Sequence, residues 1–522
     1  MTIYKTSALA LCSLLTLAGC PSDDTGETGS SDTDPTTGSG PTTDTDPTTD
    51  TDSDTDTDTD TDTDTAADGA LIRFVHGSPD APAVDIWVMG DEAPILEGLA
   101  YGDASEYLDV DANDYVFEVR TAGDAADVAP IHSMESLTLA AGDSITAIAA
   151  GQVAGEDDAA FRVLPLADGF GDPGEGALAR VVHAGSDAPA VDIDVGSDGE
   201  VELEGVERYA DSGAEGVALP ADEALQVGIL SAGEPLTAFT TPPIPAGASV
   251  YVIATGILAD LPREESGFSL LAVGPSGAIG FIDQNPRVYA LHAGPDAPNV
   301  DICVGGAPLL TDVPYGGMGG IQVAPTSYTL DIHATVDGEE CSGDPAGSFD
   351  TPALAPGEQY LAIATGELTA EEMESDLSVE FFTEDFALDN ADTEAVAKVI
   401  HAASAPAVNV GTVADTAATD ILAADIIVTG LAHPNGTMED LLIEEDSIVI
   451  GIGDAGDNRP PYAVLSNFEV PTPDGFRGWV IATGDLSPEG DPEEQGFALH
   501  AVSTGATAWE LVGPIAGVVP PQ

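Results

Sequence analysis

The stretch RFVHGSPDAPAVD at residues 73–85 recurs three more times along the chain. The copies are RVVHAGSDAPAVD at 180–192, YALHAGPDAPNVD at 289–301 and KVIHAASAPAVN at 398–409. Their histidines, His76, His183, His292 and His401, lie 107, 109 and 109 residues apart. A second landmark follows each copy, IAAG at 148–151 and then IATG at 253–256, 363–366 and 481–484. A period of about 110 residues is a domain length, so the sequence predicts four homologous domains in tandem.

Short alternating segments predict that each repeat is built from strands. VDIWV at 84–88, VDIDV at 191–195 and VDICV at 300–304 alternate strictly, with Val and Ile facing a core and Trp87, Asp194 and Cys303 facing outward. The 58 Gly and 38 Pro among 522 residues suit many short strands and turns. About seven strands per repeat predict an all-β fold of four immunoglobulin-like β-sandwich domains, with a barrel as the alternative.

The predicted boundaries follow the repeats. The β-sandwich repeats span 69–176, 177–285, 286–393 and a divergent 394–516. Only 369–375, with its run of Ala, Glu and Met, favours a short helical turn.

The repeated segment resembles the bacterial family known as domain of unknown function 4397. Together with the second landmark, the resemblance covers nearly all of residues 70–516. It implies β-rich modules of secreted or surface proteins, with no established catalytic residues. The fourth copy departs from the pattern because it loses one residue before Ala405 and has Asn409 in place of the final Asp.

The N-terminus predicts export and lipidation. Residues 1–19 carry one basic residue, Lys5, an apolar run at 8–17 and small residues before Cys20, which is the pattern of a signal peptide. The ending LAGC at 17–20 resembles a bacterial lipobox, which implies lipidation of Cys20. Acyl chains hold a protein on a bilayer without a transmembrane helix. We therefore expect a lipid-anchored protein of the cell envelope, at the outer membrane or cell surface.

Residues 20–68 predict a disordered stalk. After Cys20 the segment consists almost entirely of Thr, Asp, Ser, Gly and Pro and has no Leu, Ile, Val or aromatic residue, so it cannot form a core. Its sixteen acidic residues repel one another and extend it. The Asp-Thr run lacks the Gly and Glu of a calcium-binding loop, which favours a plain spacer.

The net charge of −82, from 93 acidic and 11 basic residues, excludes whole classes of partner. A polyanion has no basic surface for phosphates, so nucleic acid and anionic lipid headgroups are not expected partners. From residue 69 onward there remain 77 acidic and ten basic residues, so the charge belongs mainly to the domains.

Each intact copy of the repeated segment brings one His and two Asp together. The set comprises His76, Asp80 and Asp85, then His183, Asp187 and Asp192, then His292, Asp296 and Asp301. The structural interpretation is that these residues fix the turn after the first strand. The functional alternatives are a weak calcium site or a hydrolytic dyad; zinc is disfavoured because each copy offers a single His and no Cys-x-x-Cys. No other cofactor is expected.

The commonest catalytic signatures are absent from the sequence. It contains no Gly-x-Ser-x-Gly elbow and no His-Glu-x-x-His, and its two Gly-x-Gly-x-x-Gly matches, at 169–174 and 451–456, do not open a helix. We therefore do not expect an enzyme.

Two cysteines remain in the mature chain, Cys303 and Cys341. Export places them in an oxidising compartment, so we expect a disulfide. Closing a loop of nearly forty residues would stabilise the fold by roughly 3 to 4 kcal/mol in the chain-entropy treatment.

Taken together, these features predict a non-catalytic surface lipoprotein for adhesion, matrix binding or envelope scaffolding, with an extracellular polymer or protein as partner. The alternative is a carbohydrate- or peptide-binding protein, in which exposed aromatic residues such as Trp87, Tyr101 and Tyr107 would contact the ligand. A hydrolase assembled only in three dimensions is the remaining alternative.

Overall fold

The computed structural model describes residues 69–368, 376–388, 395–443, 446–456, 460–473, 475–485 and 495–520. The expected signal peptide, Cys20, the stalk and the helical turn at 369–375 lie outside the described residues.

Repeat 1 forms two four-stranded sheets, ordered β10-β9-β1-β4 and β3-β2-β6-β7, and a small β5-β8 pair. A short 3-10 helix at Asp157–Ala159 precedes the last strand. The strands are β1 Gly69–His76, β2 Val84–Val88, β3 Leu96–Leu99, β4 Leu108–Asp111, β5 Asn113–Tyr115, β6 Phe117–Thr121, β7 His132–Ser133, β8 Leu137–Leu139, β9 Ser144–Ala150 and β10 Arg162–Ala167.

Repeat 2 has sheets ordered β14-β11-β17-β18-β19 and β13-β12-β15-β16. The strands are β11 Ala177–His183, β12 Val191–Val195, β13 Leu203–Val206, β14 Val217–Leu219, β15 Gln226–Ser231, β16 Glu234–Thr240, β17 Ser249–Thr255, β18 Ser269–Gly274 and β19 Gly277–Ile282.

Repeat 3 has sheets ordered β23-β20-β26-β27 and β22-β21-β24-β25. The strands are β20 Arg287–His292, β21 Val300–Val304, β22 Ala307–Val313, β23 Met318–Gln322, β24 Thr329–Ala334, β25 Gly347–Asp350, β26 Gln359–Thr365 and β27 Ser378–Thr383.

Repeat 4 has sheets ordered β32-β28-β35-β36-β37 and β30-β34-β33-β29-β31. The strands are β28 Ala395–His401, β29 Val408–Thr412, β30 Asp420–Ile421, β31 Ile426–Leu431, β32 Leu441–Ile443, β33 Ser447–Asp454, β34 Tyr462–Pro471, β35 Arg477–Thr483, β36 Ala498–Ser503 and β37 Glu510–Ala516.

The prediction of an all-β sandwich fold is confirmed, and the barrel alternative is not. In every repeat the strand that ends at the repeated His runs parallel to the strand that contains the second landmark, with His76 opposite Ala149 in repeat 1 and His183 opposite Ala254 in repeat 2. The two sequence landmarks are therefore neighbouring central strands of one sheet.

The repeats pack in pairs through these central strands. In β17, Val250, Val252 and Ala254 face the core of repeat 2, whereas Tyr251 and Ile253 pack on repeat 1. The apolar cluster at that junction contains Val75, Ile148, Val182, Ile253 and Leu271 from the two repeats. Repeats 3 and 4 share a similar cluster that includes Leu291, Ile363, Ile400, Trp479 and Val502. These strands are apolar on both faces because both faces are buried.

Candidate functional site

The four repeated histidines are buried and fix their own turns. Each ring lies with Nε2 at 2.9–3.1 Å from the carbonyl oxygen of the proline five or six residues later. Since a carbonyl only accepts, Nε2 carries the proton and donates. Burial lowers the pKa of all four imidazoles, so they are neutral at pH 7. The residues are His76, His183, His292 and His401.

The first Asp of the repeated segment ties the turn to the loop after the second landmark. The two carboxylate oxygens of Asp80 accept the amides of Val153 and Ala154, each at 2.8 Å. Asp187 accepts the amides of Leu258 and Ala259 at 2.8 and 2.9 Å in the same way.

Repeats 3 and 4 vary this arrangement. In repeat 3, Asp296 accepts the amide of Leu368 at 2.9 Å. Repeat 4 has lost this Asp, and the amide of Ser404 instead donates to the carbonyl of Gly484 at 2.9 Å. A backbone contact thus makes the link between turn and loop that a carboxylate makes in the other repeats.

The second Asp holds the neighbouring hairpins. Asp85 accepts the amides of Gly98 and Gly123 at 2.7 and 2.8 Å, and Asp192 accepts that of Gly205 at 2.7 Å. In repeat 3, Asp301 accepts the amide of Asp312 and the hydroxyl of Thr335, both at 2.9 Å, and also the amide of Cys341 at 3.3 Å. Asn409 keeps the same link in repeat 4, because its Oδ1 accepts the amide of Gly430 at 2.9 Å.

These hydrogen bonds give the repeated His and Asp residues a structural role, because they hold the turn, the landmark loop and the hairpins together in each repeat. No group of three or more His, Cys, Asp or Glu side chains arranged to hold a metal ion occurs in the described ranges. Calcium at the acidic pair stays a prediction, and such an ion would have to compete with the backbone amides for the same oxygens.

Residues expected to face outward on the second strand are buried. Trp87 is 5%, Asp194 2% and Cys303 0% exposed. The Arg120 guanidinium covers the Trp87 ring at 5.4 Å, and Asp194 accepts the amides of Asp198 and Gly199. The expectation that Trp87 is an exposed aromatic is therefore wrong.

Tyr101 and Tyr107, the other two aromatic residues of the ligand-binding alternative, also make contacts within the protein. The Tyr101 ring lies 5.2 Å from that of Phe281 in repeat 2, and burial raises the pKa of its hydroxyl to about 12. The Tyr107 hydroxyl donates to Asp168 at 2.8 Å.

Cys303 and Cys341 are joined in a disulfide that spans 38 residues of sequence. It links strand β21 to the loop after β24. The same Asp301 that holds the neighbouring hairpin also accepts the amide of Cys341.

The threonine of the second landmark reaches across the paired repeats. Thr255 of repeat 2 donates to the carbonyl of Gly77 in repeat 1 at 2.5 Å, and Thr365 of repeat 3 donates to that of Ala402 in repeat 4 at the same distance. The landmark threonine of repeat 4, Thr483, accepts instead: the Tyr315 hydroxyl of repeat 3 donates to it at 3.1 Å. The second landmark is therefore a junction element as well as a core strand.

A polar cluster around Asp168 orients repeats 1 and 2. Its carboxylate accepts four hydroxyls at 2.6–2.8 Å, three from repeat 1 and that of Tyr251 from repeat 2. Burial raises the pKa of Asp168, but the four hydroxyl bonds together outweigh it and the net direction is downward. Arg73 lies over Tyr107 and Tyr251, with ring centroids 4.7 and 5.3 Å away, and donates to the carbonyl of Gly274 in repeat 2.

An ion pair connects repeats 2 and 3. The Arg263 guanidinium contacts both oxygens of Glu384, at 2.6 and 3.1 Å, and also donates to the carbonyl of Phe386. Glu384 is 1% exposed. A bidentate pair of this kind fixes orientation as well as distance.

Repeats 3 and 4 meet through aromatic side chains and one lysine. Tyr289 stacks on Trp509 with centroids 4.3 Å apart, and Trp479 packs on Trp509 at 5.1 Å. Lys398 of repeat 4 contacts Asp385 of repeat 3 at 2.5 Å.

Basic residues are thus concentrated at the junctions. Ten lie from residue 69 onward, and among the nine that the structure describes, six contact another repeat: Arg73, Arg162, Arg180, Arg263, Arg287 and Lys398. Acidic residues therefore dominate the charge of the rest of the surface, since 77 Asp and Glu lie from residue 69 onward.

A protein-family model matches two regions of the chain that coincide with the repeats. The model of the family "Domain of unknown function (DUF4397)" matches residues 70–194 and 286–411. The repeats resemble DUF4397. Each match spans one DUF4397-like repeat and the first strands of the next, so all four copies of the His-containing segment fall inside the two matches.

Other comparisons add no argument about fold or function. Among solved structures, the chain is similar to "The Bacillus anthracis TIE protein", with 9% sequence identity and a TM-score of 0.14. The match covers 80% of this chain and 68% of that structure's chain. No curated protein matches the chain. In the described ranges, no helix has the length and apolar character needed to cross a membrane.

Sequence reasoning missed the junction residues. The position three residues before each repeated His holds Arg73, Arg180, Tyr289 and Lys398, and all four lie at junctions. A signal was present, because three of only ten basic residues occupy one repeat position in a strongly acidic chain.

Proposed function

We propose that the chain is a non-catalytic, lipid-anchored surface protein whose four DUF4397-like repeats form a stiff array for adhesion or scaffolding in the cell envelope. The observation that carries the proposal is the locking of all three junctions. Shared apolar clusters hold repeats 1–2 and 3–4, and the ion pair between Arg263 and the buried Glu384 joins the two halves. A stiff array can present several weak sites at fixed spacing, which raises avidity without strong individual contacts.

The charge distribution supports the choice of partner. Because most basic residues are used at junctions, the outer face is acidic and suits a partner with positive charge, such as a basic protein or a cation-bridged polymer. Such contacts weaken as salt increases.

The anchor is tested by comparing Cys20→Ser with Cys12→Ser in the full chain. Both changes remove one thiol from the N-terminal region, but only Cys20 lies at the lipobox-like cleavage site. We expect Cys20→Ser to abolish acyl labelling and release the protein from membranes, whereas Cys12→Ser retains both. Membrane retention without acyl label in Cys20→Ser would contradict the anchor.

The surface role is tested on intact cells. We expect externally added protease to remove the chain, and cells that display it to adhere to an immobilised basic protein more strongly than cells with Cys20→Ser. Protection from the protease, or equal adhesion by both strains, would remove the surface function.

A further inference from the structure

Repeat 2 contains an apolar cavity of about 260 Å³ between its two sheets. Its walls come from both sheets and include Val181, Val195, Val227, Val250, Val252 and Leu270. Pro242, Pro243 and Ile279 also line it and are solvent exposed, Ile279 by 63%. The cavity therefore reaches the protein surface.

Repeat 1 carries larger side chains at two of the corresponding wall positions. Val195 pairs with Val227 in repeat 2, where Val88 pairs with Phe117 in repeat 1. The Phe117 ring contacts Phe74, with centroids 5.4 Å apart, and Phe74 stands where repeat 2 has Val181.

Repeat 3 fills the same space with a different aromatic residue. Tyr360 stands where repeat 2 has Val250, since each lies opposite the residue four positions before the repeated His. The corresponding cavity of repeat 3 is about 30 Å³. The cavity of repeat 2 is thus associated with three valines at positions where other repeats carry aromatic rings.

The chemistry of the wall selects the ligand. Apart from His183, Glu202 and Thr241, the wall is built from Ala, Val, Leu, Ile, Phe and Pro. The Nε2 of His183 already donates to the Pro189 carbonyl, and Glu202 is exposed and accepts the amide of Val195. No positive charge faces the cavity, so an anionic ligand would be repelled by Glu202 and by the acidic surface.

We infer that repeat 2 binds a small uncharged apolar molecule in this cavity. Apolar cavities of about 150 Å³ stay dry and take up benzene, so by proportion this cavity accommodates about ten carbon atoms. The ligand class is a neutral medium-chain hydrocarbon, alcohol or bicyclic aromatic, and fatty-acid anions are excluded.

The test measures the binding of two probes, 1-decanol and decanoate, to the full chain at pH 8 by isothermal titration calorimetry. We expect 1-decanol to bind at one site and decanoate to bind at least tenfold more weakly. Val227→Phe, which copies repeat 1, should weaken 1-decanol binding at least tenfold. Leu330→Phe, at the same position in repeat 3, is the matched control and should leave it unchanged.

Contacts from the decanol methyl group to valine methyls, measured by nuclear Overhauser effects on the wild-type protein, locate the ligand even if Val227→Phe does not fold. No decanol binding to the wild type, equal binding of decanoate, or an equal loss in both variants would overturn the inference.

Discussion

At the residue scale, the polar side chains of the repeated segment serve as acceptors and donors for the backbone. The sequence identified Asp80, Asp187 and their partners as a set but left a structural and a metal-binding interpretation open. The support for the structural interpretation comes from amides about 70 residues away, such as those of Val153 and Leu258. No local pattern contains that information, because the loop that donates these amides follows a different strand.

Replacing Asp187 with Ala should lower the free energy of unfolding by about 1 to 2 kcal/mol, since two charge-assisted bonds to backbone amides are lost. Glu200→Ala removes the same charge in the same repeat and is the control. Urea denaturation followed by circular dichroism measures both. Equal stabilities of the two variants would contradict a bracing role for Asp187.

His500 offers a pH-dependent prediction. It is fully buried at the junction of repeats 3 and 4, and neither ring nitrogen has a partner among the described residues. Burial lowers its pKa to about 4. Because the unfolded imidazole titrates near 6.5, the unfolded state binds more protons between these values, so stability falls as the pH drops from 6.5 towards 4.

His500→Leu should remove this contribution, because Leu271 occupies the same register position in repeat 2 and is fully buried. We expect the variant to gain stability over wild type at pH 7 and to gain more at pH 4, the extra gain reaching roughly 3 kcal/mol. Thermal unfolding at both pH values tests this. A gain that does not depend on pH would show that His500 does not titrate as inferred.

At the element scale, the sequence predicted the strands well and their outer surroundings poorly. Alternation identified VDIWV and its copies, yet it placed Trp87 and Cys303 in solvent because period-two patterns report only the face that meets the sandwich core. The landmark strands SVYVIAT at 249–255 and QYLAIAT at 359–365 are nearly continuous apolar runs. Such runs are typical of strands covered on both faces, which is the signal for the junctions.

The disulfide ties strand β21 to the loop after β24, so its loss should loosen repeat 3. Replacing both Cys303 and Cys341 with Ala should lower the free energy of unfolding by roughly 3 to 4 kcal/mol, because the unfolded loop gains freedom. Alkylation mass spectrometry without reduction checks the premise, since neither thiol of the wild type should react. An unchanged melting temperature in the double variant would remove the stabilising role.

At the scale of the whole molecule, the four repeats and the all-β class followed from periodicity, but the pairing of the repeats did not. Pairing depends on which outer faces meet, and those faces combine residues from distant strands such as β1, β9 and β17. The cavity of repeat 2 could not be predicted from the sequence either. It results from valines that are ordinary strand residues when each is read alone.

The buried ion pair between repeats 2 and 3 should control the stiffness of the array. Arg263→Gln leaves the Glu384 carboxylate without its partner at 1% exposure, which typically costs about 3 to 5 kcal/mol. We expect a broader interdomain distance distribution by small-angle scattering and faster proteolysis near residue 285. Arg120→Gln, which breaks the Arg120–Glu118 pair inside repeat 1, is the control and should leave the distribution unchanged. Identical scattering for Arg263→Gln and wild type would show that the pair does not hold the junction.

Salt should weaken the repulsion between surface charges more than it weakens the ion pairs at the junctions. The 77 acidic and ten basic residues from position 69 onward give strong self-repulsion. Arg73, Arg180 and Lys398 are buried at junctions, where they relieve little of it. Raising NaCl from about 0.01 to 1 M shortens the Debye length from about 30 to 3 Å, which screens surface charges far more than buried pairs. The melting temperature of the wild type should therefore rise with salt. The melting temperature of Arg263→Gln should start lower and rise in parallel with salt, because the contact that it loses is shielded from solvent. A wild-type melting temperature that does not change with salt would mean that self-repulsion does not limit the stability of these domains.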